Sequence, residues 1–315
     1  MSFDLPIDAV LPEVIAALTS TGRVVLQAPP GAGKTTKVPL AMLDARLTSG
    51  KILMLEPRRL AARAAAERMA ATLGQKAGDT VGYRVRGRSE VSGNTRIEVV
   101  TEGILTRMIQ DAPDLPGVGA VIFDEFHERS LNADLGLALC LEIAGALRDD
   151  LLLVAMSATL DAAPVADLMA APIVTSEGKS HTVTPRWLDR SAGKQRLETA
   201  TADLVIKALN EEPGSALVFL PGEGEIRRVE ALLKGALASD CTVAPLFGAM
   251  DFADQRAAIA PAASGRKVVL STSIAETSLT IEGIRIVVDA GQARRARFDP
   301  SSGMSRLVTE KVTRA

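Results

Sequence analysis

The segment APPGAGKTT, residues 28–36, has the composition of a loop that binds a polyphosphate. It follows the apolar run RVVLQ and precedes a helical segment, which is the strand–loop–helix context that such a loop requires. Glycine lets the backbone approach an anion closely, Lys34 would neutralise phosphate charge, and the hydroxyl of Thr35 would bind Mg²⁺. The residues expected to hold the phosphates are Gly31, Ala32, Gly33, Lys34, Thr35 and Thr36. The glycine that usually opens the motif is Ala28 here, and a glycine-rich turn with a solvated lysine is the alternative interpretation.

A second candidate is the acidic pair in GAVIFDEFHERS, residues 119–130. The apolar run before the pair predicts a buried strand, so Asp124 and Glu125 would lie at the carboxyl edge of a sheet, where open α/β sheets bind ligands. Asp124 is suited to hold Mg²⁺, and Glu125 to orient and polarise an attacking water. The candidate metal-site residues are therefore Thr35, Asp124 and Glu125. An acidic pair at a strand end is often a solvated cap, but a pair that follows a phosphate loop favours the catalytic interpretation.

The elements that must position these residues alternate along the chain, so we predict an α/β protein with mainly parallel sheets. A stretch rich in Ala, Pro, Gly and Ser at 161–180 predicts two domains, 1–172 and 173–315. Arg-rich segments on both sides of the turn FDPSSG predict a β-hairpin over 292–308. Apolar runs typical of buried strands occupy residues 23–27, 51–56, 95–100, 119–123, 151–156, 181–188, 215–220, 242–246, 267–272 and 284–289.

Composition excludes several classes of protein. A chain of 315 residues with 47% hydrophobic residues is not disordered, and two cysteines with two histidines exclude a disulfide framework and disfavour a zinc site. The first residues lack the pattern of a signal peptide, and no apolar run approaches the roughly 18 residues of a membrane span. We therefore expect a soluble cytoplasmic protein with no membrane contact. A pI near 5.9 argues against a global positive field, so nucleic acid would have to bind in a local groove.

Seven segments in this order resemble the motifs of the DEAH-box superfamily 2 helicases, and most closely those of the bacterial HrpB-type branch. The resemblance implies two tandem RecA-like P-loop NTPase domains with ATP bound between them, and an ATP-dependent motor that moves on single-stranded RNA. The segments are GAGKTT (31–36), EPRRLAA (56–62), TEG (101–103), DEFH (124–127), SAT (157–159), LVFLPGEGEI (217–226) and STSIAETSLT (271–280).

The resemblance also implies roles at the nucleotide, which would be Mg-ATP with other NTPs accepted. Arg68 matches an arginine that stacks on the adenine, although a solvated helix arginine is the other interpretation. His127 would couple the nucleotide to the second domain together with Ser157 and Thr159. The second-domain positions that match phosphate or ribose contacts are Ser278, Thr280 and Glu282.

For nucleic acid, the resemblance implies contacts to the phosphate backbone rather than to the bases. The shortage of aromatic residues, 3% of the chain, also argues against a base-stacking platform. A monomer is expected. The matching positions are Arg58, Arg59 and Thr101 in the first domain and Gly222, Thr272 and Ser273 in the second.

Relatives in this family continue with a motif that carries two arginine fingers, followed by further domains. No arginine in this chain has the spacing QRxGRxGR, so we expect Mg-ATP to bind but to turn over slowly. Three interpretations stay open at this point: a helicase motor, an ATP- and RNA-binding fragment with little turnover, and a P-loop ATPase with a substrate other than nucleic acid.

Overall fold

The computed structural model describes residues 5–158, 162–178, 182–188, 195–276 and 281–312. The chain divides into two compact units, Met1–Thr182 and Val183–Ala315. The predicted division at residue 172 falls too early, because β8, Ile173–Thr175, pairs in parallel with β1, Arg23–Gln27. The short strand β8 thus belongs to the sheet of the first unit.

The first unit is built on an eight-stranded sheet. Besides β1 and β8, its strands are β2 Lys51–Glu56, β3 Val81–Val85, β4 Arg88–Glu90, β5 Ile97–Thr101, β6 Val118–Phe123 and β7 Leu152–Ser157. They lie in the order β4-β3-β5-β2-β6-β7-β1-β8, and every pair of neighbours is parallel except β3 with β4. Most of them are near-continuous apolar runs, as expected where helices cover both faces of a sheet.

Helices pack on both faces of this sheet and bury two separate cores. On one face, Met42 and Met69 pack with Val24 and Ile122. On the other face, Leu105 packs with the strand residues whose side chains point to that face, because successive side chains of a strand alternate between the two faces. Helices thus cover both faces of the sheet, and a ligand is expected at its strand ends. The helices are α1 Leu11–Thr21, α2 Lys34–Asp44, α3 Arg59–Thr72, α4 Glu102–Asp111, α5 Leu131–Ala146 and α6 Ala163–Met169.

Strand order decides which motifs become neighbours at the carboxyl edge of this sheet. The strands β5, β2, β6, β7 and β1 lie side by side in that order. Their ends carry, in turn, Thr101, Glu56, Asp124, Ser157 and the loop that begins at Ala28. The acidic segment after β6 thus lies between the phosphate loop on one side and the segments EPRRLAA and TEG on the other.

The second unit contains a four-stranded parallel sheet and a separate two-stranded hairpin. The elements of the sheet and its helices are β9 Ser215–Phe219, β10 Cys241–Leu246, β11 Arg266–Ser271, β12 Ile284–Asp289, α7 Leu197–Glu211, α8 Glu223–Leu233 and α9 Phe252–Ile259, with strand order β10-β11-β9-β12. The predicted hairpin is confirmed as Gln292–Asp299 paired with Met304–Lys311, β13 and β14. The strand predicted over 181–188 is wrong for the described residues 182–188, which have no regular structure and include Pro185, a residue that cannot donate to a strand ladder.

Arg266 ties the end of α7 to this second sheet. Its guanidinium donates to the carbonyl oxygens of Leu209, Glu212 and Gly214 at 2.6, 2.7 and 2.7 Å. These carbonyls lie at the end of the helix and in the turn after it, where the helix itself supplies no donor. Across the described ranges of both units, no helix combines the length and the apolar character needed to cross a membrane.

Two aromatic rings fix the acidic segment to the first unit. The ring of Phe123, at the end of β6, meets the ring of Phe126 edge to face, with centroids 6.0 Å apart and planes at 81°. Both side chains are buried, one before and one after Asp124 and Glu125. The pair therefore holds the backbone of the acidic residues from both ends.

We expect Phe123→Ala to lower the free energy of unfolding of the first unit by about 3–5 kcal/mol, because it removes a fully buried ring and leaves a cavity. Urea denaturation monitored by hydrogen exchange of the β6 amides measures the change in the free energy of unfolding. Leu168→Ala is the matched control, since the Leu168 side chain is 64% exposed. Equal losses in the two variants would contradict the role given to Phe123.

Candidate functional site

The phosphate loop joins β1 to α2. Gly31 and Gly33 have φ of 77° and 96°, in the left-handed region that glycine adopts without strain. α2 then begins at Lys34, so the first amide groups of the helix open toward the loop. Ala28 is buried and its N–H donates to the carbonyl of Ser157 at 3.0 Å, so this departure from the usual glycine is accommodated in the core.

Lys34 and Glu125 form a buried ion pair. Lys34 Nζ donates to Glu125 Oε1 at 3.1 Å, and the residues are 3% and 8% exposed. Burial, followed by the charge of Asp124, raises the pKa of Glu125, while Lys34 opposes the shift. Glu125 is thus the counter-ion of Lys34, and a buried ammonium needs such a partner.

Asp124 follows the last residue of β6 and keeps one carboxylate oxygen uncommitted. Its Oδ1 accepts the N–H of Glu125 at 2.8 Å, and its backbone N–H donates to the carbonyl of Leu55 at 3.1 Å. Its Oδ2 is buried and has no hydrogen-bond partner among the described residues. A hard cation such as Mg²⁺ would satisfy this oxygen, which fits the role predicted for Asp124.

The backbone of Glu125 is in the left-handed region, with φ of 49°. A residue with a large side chain adopts this conformation only when its surroundings impose it, and such residues cluster at functional sites. Here the hydrogen bond from Glu125 N–H to Asp124 and the ion pair with Lys34 act together on one residue. The strained backbone points the carboxylate of Glu125 toward the phosphate loop.

His127 connects the acidic segment to the end of β7. Its Nδ1 lies 3.4 Å from Glu125 Oε2 and accepts the N–H of Ala158 at 3.3 Å. These two contacts require opposite protonation at Nδ1. Burial and then the charge of Lys34 lower the pKa of His127, which favours the neutral ring that accepts from Ala158. The imidazole therefore links DEFH to SAT. Ser157 is buried at the end of β7, Thr159 lies outside the described residues, and the coupling of the nucleotide to the second domain stays a prediction.

Glu56 is a site residue that the sequence did not single out. It ends β2 beside the acidic segment, is 0% exposed, and neither of its side-chain oxygens has a partner in the described part of the chain. Burial and then the charge of Asp124 raise the pKa of Glu56 well above its ordinary value. A proton on Glu56 supplies the missing donor and lets it hydrogen-bond to Asp124. The signal was available: a charged residue ends an apolar strand at the carboxyl edge, as in Asp124.

The predicted nucleic-acid residues of the first unit lie farther along the same edge. Arg59 is exposed at the first position of α3, and Thr101 precedes the first residue of α4. Arg58 is half-buried, and its Nη2 lies 3.2 Å from Glu128 Oε2. Arg68, the predicted adenine contact, is exposed on α3.

In the second unit, the described candidates lie at the starts of short helical segments. Gly222 is buried and precedes α8, while Thr272 precedes the 3₁₀ turn Ser273–Ala275. Glu282 is an exposed residue before β12. The other two predicted contacts, Ser278 and Thr280, lie outside the described residues.

Two family models cover most of the chain. The model described as DEAD/DEAH box helicase matches residues 10–168, and the model described as Helicase conserved C-terminal domain matches residues 199–305. The chain is 56% identical over 313 residues to the ATP-dependent RNA helicase HrpB of Escherichia coli, and 33% identical over 318 residues to HrpA of the same organism. These alignments cover 99% of this chain but 39% and 24% of the two relatives. The chain thus spans about two fifths of the length of HrpB.

Solved structures agree with the sequence relatives. The crystal structure of Escherichia coli DEAH/RHA helicase HrpB matches with a TM-score of 0.91 and 55% identity, over 98% of this chain and 40% of that one. A structure of E. coli DExH-box NTPase HrpB matches with a TM-score of 0.84 over 99% of this chain and 39% of that one. The fold prediction of tandem RecA-like domains is confirmed by these matches. The phosphate loop and the acidic strand end both lie in the matched first unit, and the chain belongs to the DEAD/DEAH box helicase family.

Proposed function

We propose that this chain is the motor portion of an ATP-dependent RNA helicase, which hydrolyses Mg-ATP and moves on single-stranded RNA. The observation that carries the proposal is the buried contact between Lys34 and Glu125, which joins the phosphate loop to the water-activating carboxylate. The family and the matched relatives named ATP-dependent RNA helicase support the choice of ATP and RNA.

When ATP binds, its triphosphate would replace Glu125 as the partner of Lys34 and so break the ion pair. Its terminal oxygens take the place of Glu125 on Lys34, and the amide groups of Gly31 to Thr36 surround them. Glu125, released from Lys34, accepts a proton from the water that attacks the γ-phosphorus. As the new P–O bond forms, the bond from that phosphorus to the β–γ bridging oxygen breaks, and ADP and inorganic phosphate leave.

Thr35 and Asp124 would hold Mg²⁺ beside the phosphates. Bound there, Mg²⁺ neutralises charge on the β- and γ-phosphates. Glu56 lies beside Asp124, and burial followed by the charge of Asp124 raises the pKa of Glu56, so a protonated Glu56 would donate to the carboxylate of Asp124 and limit its rotation. A neutral His127 would accept the N–H of Ala158 and so connect the acidic segment to the end of β7.

Single-stranded RNA would bind along the part of the edge that carries Arg58, Arg59 and Thr101. Two arginines next to a helix start offer charge-assisted hydrogen bonds to successive phosphates without reading bases. In the second unit, taken by itself, Gly222, Thr272 and Ser273 are the residues we propose to contact nucleic-acid phosphates. ATP turnover measured with and without single-stranded RNA tests the whole proposal, and stimulation by RNA separates this function from a P-loop ATPase with another substrate.

Lys34→Ala should weaken ATP binding at least tenfold, about 1.4 kcal/mol, because the phosphates lose their ammonium partner. Isothermal titration calorimetry measures the affinity. Lys37→Ala is the matched control: it lies on the same helix and its ammonium pairs with Asp8 at 3.1 Å, away from Glu125. Equal ATP affinity in wild type and Lys34→Ala would contradict the proposal that residues 28–36 bind the phosphates of ATP.

Glu125→Gln should keep ATP binding within a few-fold of wild type and lower single-turnover hydrolysis by about 100-fold or more, because the amide cannot accept the proton of the attacking water. Glu142→Gln makes the same change on the exposed side of α5 and should leave hydrolysis unaltered. Hydrolysis at the wild-type rate in Glu125→Gln would assign water activation to another residue.

Replacing Arg58 and Arg59 with alanine should weaken single-stranded RNA binding equally for all sequences. The slope of log K against log salt should fall by roughly 0.7 for each RNA phosphate that an arginine no longer neutralises. Fluorescence anisotropy with labelled oligouridine and oligoadenosine over a salt series measures both effects. A weakening confined to one sequence would show that this edge reads bases.

A further inference from the structure

The seven residues from Asp124 to Ser130 make contacts in two directions. Toward the nucleotide side, Glu125 pairs with Lys34 at 3.1 Å. Toward the other side, Glu128 pairs with Arg58, and Ser130 Oγ donates to Glu102 beside Thr101. One short segment thus contacts the phosphate loop and both predicted nucleic-acid segments of the first unit.

The Glu128–Arg58 pair is less exposed to solvent than an ordinary surface ion pair. Arg58 Nη2 lies 3.2 Å from Glu128 Oε2, and the two side chains are only 21% and 23% exposed, Glu128 being the less exposed of the two. Arg58 is held at the start of α3 while its neighbour Arg59 is exposed. The pair therefore restrains one specific guanidinium at the place where a phosphate is expected to bind.

The turn that carries Glu128 leads directly to the catalytic carboxylate. The N–H of Glu128 donates to the carbonyl of Glu125 at 2.9 Å, within the 3₁₀ turn Phe126–Glu128. Glu125 and Arg129, on either side of this turn, have φ of 49° and 46°, both in the left-handed region. Ser130 is fixed, because its Oγ accepts the N–H of Ala133 at 2.9 Å at the start of α5. A change at Glu128 is thus transmitted to Glu125 through the backbone of this turn.

Glu125 and Glu128 each pair with a cationic side chain that is expected to bind a phosphate. Carboxylate and phosphate oxygens are both strong acceptors for ammonium and guanidinium groups, and a guanidinium recognises either one in similar geometry. Glu125 pairs with the ammonium group that is expected to bind the triphosphate. Three positions later, Glu128 pairs with a guanidinium group that is expected to bind a nucleic-acid phosphate.

We propose that Glu128 stands in for nucleic-acid phosphate on Arg58, so that a bound single strand must displace it. Glu128 then lowers the affinity for the strand, and its displacement loosens the turn that is hydrogen-bonded to Glu125. Glu128 is a positioning residue, not a catalytic one. This inference rests on the proposed function, because it requires Arg58 to contact the strand.

The test measures binding of fluorescein-labelled oligouridine to this chain without nucleotide. Glu128→Gln removes the charge and keeps the size of the side chain, so the affinity for the strand should rise about three- to tenfold. The slope of log K against log salt should become steeper by up to roughly 0.7, since salt no longer assists the release of Arg58. A residue that only stabilised the fold would not steepen this slope.

Two controls separate the pair from a general effect of charge. In an Arg58→Ala background, Glu128→Gln should change the affinity less than twofold, which closes a double-mutant cycle on the pair. Asp134→Asn removes a negative charge nearby, on a residue paired with Arg129 at 3.0 Å, and should also change the affinity less than twofold. A gain that persists without Arg58, or an equal gain in Asp134→Asn, overturns the inference.

The two possible failures are distinguishable. If wild type does not bind the strand, the proposed function fails. If wild type binds and Glu128→Gln has unchanged affinity and salt slope, the inference alone fails. Glu128→Asp serves as a second variant where the Gln variant is unstable by thermal melting: the shorter side chain withdraws the carboxylate from Arg58, so affinity should rise, by less than in Glu128→Gln.

Discussion

The ion pair between Lys34 and Glu125 is the interaction on which the site depends. It joins two residues 91 positions apart, and only the parallel pairing of β1, β7 and β6 brings their strand ends to one edge. A buried ammonium without a partner costs several kcal/mol, roughly the stability margin of a small domain. The fold therefore has to supply an anion beside Lys34, and it supplies Glu125, the residue to which the proposed function gives the activation of water.

Much of this arrangement could be predicted from local sequence. The phosphate loop is a contiguous motif with a defined strand before it and a helix after it, and Asp124 with Glu125 directly follows a fully apolar strand. Both features depend on neighbours in sequence, which is why the residues could be named by number. The strand β8 and the segment 182–188 show the limit: the first is too short to have a pattern, and the second has an apolar pattern that Pro185 interrupts.

The contacts between motifs could not be predicted in the same way. Glu56 with Asp124, Glu128 with Arg58, and Ser130 with Glu102 each join residues from different strand ends. Their proximity follows from the order β5-β2-β6, and no periodicity in the sequence encodes which strand lies next to which. Glu56 is also the first residue of EPRRLAA, a segment whose arginines indicate contact with nucleic acid, so its position in the sequence does not mark it as a neighbour of Asp124.

Charge is segregated along this edge, which suits the two ligands of the proposed function. Near β6, the buried carboxyl groups of Asp124 and Glu125 outnumber the ammonium of Lys34, the cation that pairs with Glu125, so this part favours a cation. Beyond β2, the arginines of EPRRLAA reverse the sign and favour phosphate. Glu128 lies at the change of sign, attached by its backbone to Glu125 and by its side chain to Arg58. In the inference drawn above, a phosphate bound to Arg58 would act on Glu125 through this one turn of backbone.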